Sequence, residues 1–137
     1  MRKLNIAFFG TPKFSTGPLQ TLLDHKNINI KAVVTGIDKK VGRGQKTKET
    51  EVASFAYKNQ LKVIKTSSIN KDIQRLKELG PIDLYIVVAF SQFLSQEILS
   101  IPERGAFNIH TSLLPKYRGA APIQYALLNG DKETGVC

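Results

Sequence analysis

The sequence predicts an α/β fold, a parallel sheet covered by helices on both faces. Three observations predict it. Residues 4–9, 28–35 and 84–89 are nearly continuous apolar runs, the pattern of strands buried on both faces. Segments with helical patterning separate them. The residues richest in chemistry follow strands, at Gly10-Thr11-Pro12, Phe90-Ser91-Gln92 and Asn108 to Gly119, where open parallel sheets bind ligands.

Taken in order, the 4–9 run ends in a tight turn at Gly10-Thr11-Pro12. A helix is predicted over 18–24, with Pro18 in its first turn and Leu19, Leu22 and Leu23 on one face. The β-branched residues of 28–35 predict a second strand. The rhythm continues with a helix over 50–58, a short strand at 63–64, a helix over 71–79 and a strand over 84–89. A short helix over 96–99 then precedes a strand over 106–110. The first turn lacks G-x-G-x-x-G, so a dinucleotide site has little support.

A length of 137 residues and 42% hydrophobic content predict one globular domain. No apolar run is long enough to span a membrane, and the N-terminal residues lack a signal-peptide core, so the expected setting is the cytoplasm. Cys137 is the single cysteine, and His25 and His110 lie far apart, so no metal is expected. Twenty Lys and Arg against 11 Asp and Glu leave a net charge of +9, which favours polyanionic partners.

Much of that charge gathers in the join over 36–48, which carries Lys39, Lys40, Arg43, Lys46 and Lys48 against Asp38. Joins between strand and helix usually run about two to six residues. A longer basic loop is either a solvated surface segment or an arm that grips phosphate. Gly42 and Gly44 flank Arg43 and let the backbone approach a partner closely.

The densest chemistry lies in N-I-H-T-S-L-L-P-K-Y-R-G-A-A-P-I-Q, residues 108–124. On a strand, the two-residue period sets Asn108 and His110 on one face and Phe107 and Ile109 on the other. An amide N–H stabilises an oxygen that turns negative when a carbonyl is attacked, and an imidazole removes the proton an attacking amine must lose. The pair suits acyl-type transfer. It equally fits Asn108 closing the strand end and His110 satisfied in the core. Pro115 and Gly119 suit a turn or a ligand contact, and Arg118 a carboxylate or a ligand. Tyr117 suits packing, and Asp131 a cap or turn after a helix ending near Asn129.

With these residues in view, the chain resembles the N-terminal catalytic domain of the methionyl-tRNA formyltransferases over residues 6–136. The 108–124 motif carries most of the resemblance, with Asn129-Gly130-Asp131, Thr134-Gly135-Val136, Phe9-Gly10-Thr11-Pro12, Phe14-Ser15 and Gly42-Arg43-Gly44 in support. It implies a Rossmann-like sheet and transfer of the formyl group of 10-formyltetrahydrofolate to the α-amino group of methionyl initiator tRNA. The family's catalytic asparagine and histidine correspond to Asn108 and His110, which hold the oxyanion. A downstream aspartate orients the histidine. By the same resemblance Ser112, Leu113, Leu114 and Pro115 form part of the folate and transition-state pocket, and the backbone around Phe90, Ser91 and Gln92 lines the pterin site. Arg43, with Lys40 and Lys46, engages the tRNA.

Ala89-Phe90-Ser91 stands where the family usually has Ala-Tyr-Gly, and Ser95 follows Leu94 where a proline is usual. Both differences bear on donor affinity more than on fold. The resemblance also implies that the catalytic aspartate, the last core strands and a small C-terminal tRNA-binding barrel lie beyond Cys137. The expectation is thus a partial catalytic domain over 1–137 that is incomplete at its C-terminus. Alone it is expected to be poorly active and aggregation-prone; in full-length form it is expected to be a monomer. Two other readings stay open. One is a sugar-nucleotide formyltransferase domain, against which stand Ala120-Ala121-Pro122-Ile123-Gln124 and the basic loop. The other is a degenerate, non-catalytic fragment.

Overall fold

The computed structural model describes residues 2–42 and 46–137, and the chain divides into two compact units, Met1–Phe107 and Asn108–Cys137. The first unit is organised around β1 (Leu4–Gly10), where Ile6, Ala7, Phe8 and Phe9 are all inaccessible to solvent. Successive strand residues point to opposite faces, so a strand can bury them all only when both faces are covered. A 3-10 turn (Lys13–Ser15) leads into α1 (Thr16–Asp24). There follow β2 (Ile28–Gly36), β3 (Lys39–Val41), β4 (Lys46–Lys48), α2 (Glu51–Lys58) and β5 (Val63–Thr66). Then come α3 (Ile73–Lys77), β6 (Leu84–Val88), α4 (Gln96–Leu99) and β7 (Ala106–Ile109).

The main sheet runs β5-β2-β1-β6-β7, and its β1–β2, β1–β6 and β2–β5 pairs are parallel, as the apolar runs predict. One face packs Ala7, Phe9, Ala32, Val34 and Tyr85 with Leu76 of α3 and Ile98 of α4. The other buries Ile6, Phe8 and Val33 beneath Leu19 of α1 and Val52, Ala53 and Ala56 of α2. Phe9 meets Tyr85 and Phe90 edge to face, with ring centroids 4.8 and 5.4 Å apart.

Local chemistry explains where elements start and stop. Thr50 caps α2 by accepting the Ala53 N–H at 3.1 Å, while its hydroxyl also bonds that of Thr35 at 2.8 Å. The predicted 71–79 helix shrinks to α3, because the Asp72 carboxylate takes the Thr66 hydroxyl instead of capping an earlier turn. β6 stops one residue short of the predicted 84–89, since Ala89 turns to a φ of +50°. Phe107 on β7 is 66% exposed.

The largest correction concerns the basic loop over 36–48. It forms an antiparallel hairpin of β3 and β4, with Lys39 opposite Lys48, Lys40 opposite Thr47 and Val41 opposite Lys46. Lysine disfavours strands, which hides the two short arms, but the four residues between them are a hairpin-length join rich in glycine. Arg43 lies outside the described residues.

The second unit leaves β7, turns at Ser112, forms α5 (Pro122–Leu128) and returns to the strand end. There His110 and Cys137 exchange both backbone N–H···O bonds, at 2.7 and 2.8 Å. That reciprocal pair is the antiparallel hydrogen-bonded kind. Helix α5 buries Ala126 and leaves Leu127 and Leu128 exposed.

Candidate active site

In the first unit the strand order reverses between β1 and β6, and the turns after both strands meet there. Gly10 is required at this point, since a Cβ on it would lie 2.8 Å from the Ser15 Cβ. Buried Ser15 donates its hydroxyl to the Val88 carbonyl at 2.7 Å, tying the turn after β1 to the end of β6. Beside it the Thr11 hydroxyl is buried and, among the described residues, without a hydrogen-bond partner. Ala89 holds left-handed backbone, which costs a non-glycine residue about 1–3 kcal/mol and concentrates at functional sites.

The predicted donor-site residues after β6 have distinct roles. Phe90 is half-buried and packs on the core through Phe9. Ser91 is exposed. Gln92 spends its whole amide on a neighbouring loop, accepting the Ile69 N–H at 2.7 Å and donating to the Thr66 carbonyl at 2.9 Å.

The hairpin is pinned at its base by Lys65 of β5. Its ammonium lies 2.7 Å from Asp38, just before β3, and 3.0 Å from Glu49, just after β4. The Asp38 hydrogen bond, joined by Glu49, holds the lysine well above the usual amine range. Beyond this anchor, Lys39 stands directly across from Lys48, and Lys46 is two residues along the same strand. Lys48 is itself paired with Glu51 at 3.2 Å. Lys40 is exposed on the other register face, beside Thr47.

In the second unit Asn108 is exposed and His110 half-buried. The His110 Nε2 lies 2.8 Å from the Tyr117 carbonyl oxygen. A carbonyl only accepts, so Nε2 carries the hydrogen and Nδ1 keeps the lone pair of the neutral ring. Tyr117 has a φ of +54°, and its hydroxyl donates to Asp131 at 2.7 Å while accepting from the Asn129 amide at 3.0 Å. Lys116 reaches the same carboxylate at 3.3 Å. The Tyr117 hydroxyl, and after it Lys116, hold the Asp131 carboxyl below the usual carboxylate range. Tyr117 is thus more than packing, and Asp131 is a hydrogen-bond acceptor rather than a cap.

The turn residues assigned to the folate pocket divide in the same way. Ser112 is fully buried and donates to the Lys116 carbonyl at 2.7 Å, so its side chain shapes the turn. Leu113 lies on Gly135, where an added Cβ would sit 2.5 Å from the leucine. Leu114 and Pro115, joined by a cis peptide bond, are exposed. No spacing rule links Tyr117 to Asp131 or Asn129. Among the described residues no group of three or more His, Cys, Asp or Glu is placed to hold a metal, and no helix is long and apolar enough to cross a membrane.

A family model described as Formyl transferase matches residues 4–137. The chain belongs to the formyl transferase family. It is 47% identical over 135 residues to a methionyl-tRNA formyltransferase of Halothermothrix orenii, covering 97% of this chain and 42% of that protein. A methionyl-tRNA formyltransferase of Clostridium acetobutylicum is 46% identical over 135 residues, covering 96% and 43%. The chain thus spans about four-tenths of the length of these relatives. Among solved structures it is similar to a phosphoribosylglycinamide formyltransferase from Bacillus halodurans, with a TM-score of 0.73 at 22% identity, covering 96% of this chain and 69% of that one. A formyltetrahydrofolate deformylase from Pseudomonas syringae gives 0.73 at 18% identity, covering 99% and 45%. At these identities the formyl transferase family shares the fold with them.

Proposed function

We propose that this chain is the N-terminal catalytic part of a methionyl-tRNA formyltransferase, which moves the formyl group of 10-formyltetrahydrofolate onto the α-amino group of methionyl initiator tRNA. The observation that carries the reading is the His110 ring, held through Nε2 so that Nδ1 is left as the proton acceptor, two residues from exposed Asn108. The similarity to two methionyl-tRNA formyltransferases supports the same reading.

In this mechanism the amine nitrogen attacks the formyl carbon, and the carbonyl electron pair moves onto oxygen. The Asn108 amide donates a hydrogen bond to that oxyanion. His110 takes the proton the amine loses, then supplies one to the leaving folate nitrogen as the old carbon–nitrogen bond breaks. Ser112 to Pro115 in the second unit and, separately, the backbone of Phe90 to Gln92 in the first are the proposed donor contacts. The lysines of β3 and β4, Lys40 and Lys46 among them, with Arg43, meet tRNA phosphates by charge and counterion release. In this reading a catalytic aspartate and a C-terminal tRNA-binding domain are assigned to the length of the full protein that this chain does not span.

The test is formylation by the full-length protein, offered methionyl initiator tRNA or an amino-sugar nucleotide with the same donor. Product on the tRNA alone supports the reading. Product on the sugar alone replaces it with a sugar-nucleotide formyltransferase, and product on neither removes it.

A further inference from the structure

We infer that Tyr117 and Asp131 form a latch that sets the orientation and tautomer of the His110 ring, which makes both positioning residues for the proton transfer. The inference rests on the proposed role of His110 in formyl transfer. Three observations lead to it. The group that receives the ring N–H is the Tyr117 backbone carbonyl, whose direction depends on the backbone angles of Tyr117 and its neighbour. Tyr117 sits at a φ of +54°, a conformation a tyrosine does not keep unaided. The phenol end of the same residue is gripped from residues 14 and 12 positions further along, by Asp131 at 2.7 Å and Asn129 at 3.0 Å.

The parts work in series. Asp131 and Asn129 fix the phenol, the phenol fixes the backbone of Tyr117, and its carbonyl fixes Nε2 of His110. From the other side the reciprocal backbone pair with Cys137 holds the His110 main chain, and among the described residues the bond to the Tyr117 carbonyl is what holds the ring itself. Lys116 approaches the same carboxylate at 3.3 Å and keeps it charged, the form that accepts the Tyr117 hydroxyl best. The titratable and charged groups facing the latch are therefore His110, Lys116 and Asp131. With Nε2 occupied, Nδ1 is the nitrogen that exchanges the proton with substrate.

The test uses the full-length protein with ¹⁵N-labelled histidine, and assigns the His110 ring signals by their loss in His110→Asn. In wild type the neutral ring is expected as one Nε2–H tautomer with a slowly exchanging proton. Tyr117→Phe keeps the ring and removes only the hydroxyl. It is expected to speed that exchange and to lower kcat about 10- to 100-fold with the donor KM unchanged. Asp131→Ala should do the same, the double variant should be no worse than either single one, and Asp131→Asn, which still offers a carbonyl oxygen, should recover most of the rate. An Nδ1–H tautomer in wild type overturns the inference. So do unchanged ring signals in both Tyr117→Phe and Asp131→Ala, or additive losses in the double variant. If His110→Asn keeps full activity, the proposed function fails while the ring signals still judge the latch.

Discussion

Tyr85→Phe is expected to make the protein more stable, although it deletes a polar group from the centre of the sheet. Tyr85 is fully buried on β6, and among the described residues its hydroxyl has no hydrogen-bond partner. A buried hydroxyl left unpaired costs about 1–3 kcal/mol. Removing it leaves a gap of one oxygen, which returns a fraction of that gain, while the edge contact with Phe9 at 4.8 Å is kept. The net expectation is a gain of about 1 kcal/mol, or roughly 3–5 °C in Tm for a domain of this size. Thermal and urea melts followed by circular dichroism measure it, and the alkaline range gives a second reading. Burial pushes the Tyr85 hydroxyl up to about 12, so the fold favours the neutral phenol. That contribution is fully present below the unfolded value near 10 and is lost as pH rises through 12, reaching about 2 kcal/mol at pH 12. Wild type should therefore lose stability between pH 10 and 12 more steeply than Tyr85→Phe. A lower Tm for the variant, or parallel alkaline limbs, would refute the reasoning.

Three further outcomes are expected. Asn108→Ala in the full-length protein should slow formyl transfer about 100-fold with its melt unchanged, because Asn108 is exposed and its proposed work is on the oxyanion; an unchanged rate removes it from the mechanism. Lys65→Met should destabilise by about 1–2 kcal/mol, because it strands the carboxylates of Asp38 and Glu49, and it should raise proteolytic cleavage within 36–49 before elsewhere; uniform cleavage would deny Lys65 its role at the hairpin base. Asp83, bonded by the Asn5 N–H and Arg2, has its pKa lowered by them, so its contribution is present above the ordinary aspartate value near 4 and lost as pH falls through the lowered one. Asp83→Asn should flatten the acid limb of stability below about pH 4, and an acid limb identical to wild type counts against it.

The central strands were legible because 4–9 and 84–89 are largely apolar and 28–35 is rich in β-branched residues. Helix α2 was legible from the patterning of 50–58, and the structure makes Thr50 its cap. The hairpin was not, because β3 and β4 are three residues each and rich in lysine, and their hold comes from Lys65, some 17 residues beyond Lys48. The positive φ of Ala89 is set by the ties around it, which no local pattern records.

The residue types along 108–124 announce amide and imidazole chemistry beside a turn, because those functional groups are written into the chain and strand periodicity brings two of them to one face. Which ring nitrogen of His110 is free is a different kind of fact. It follows from a carbonyl seven residues on, whose aim follows from a phenol held by Asp131 fourteen residues further still. Hydrogen bonds between residues at such separations obey no sequence period, since they depend on where the folded chain returns in space. The same holds for the Gln92 amide, whose partners Ile69 and Thr66 lie 23 and 26 residues earlier.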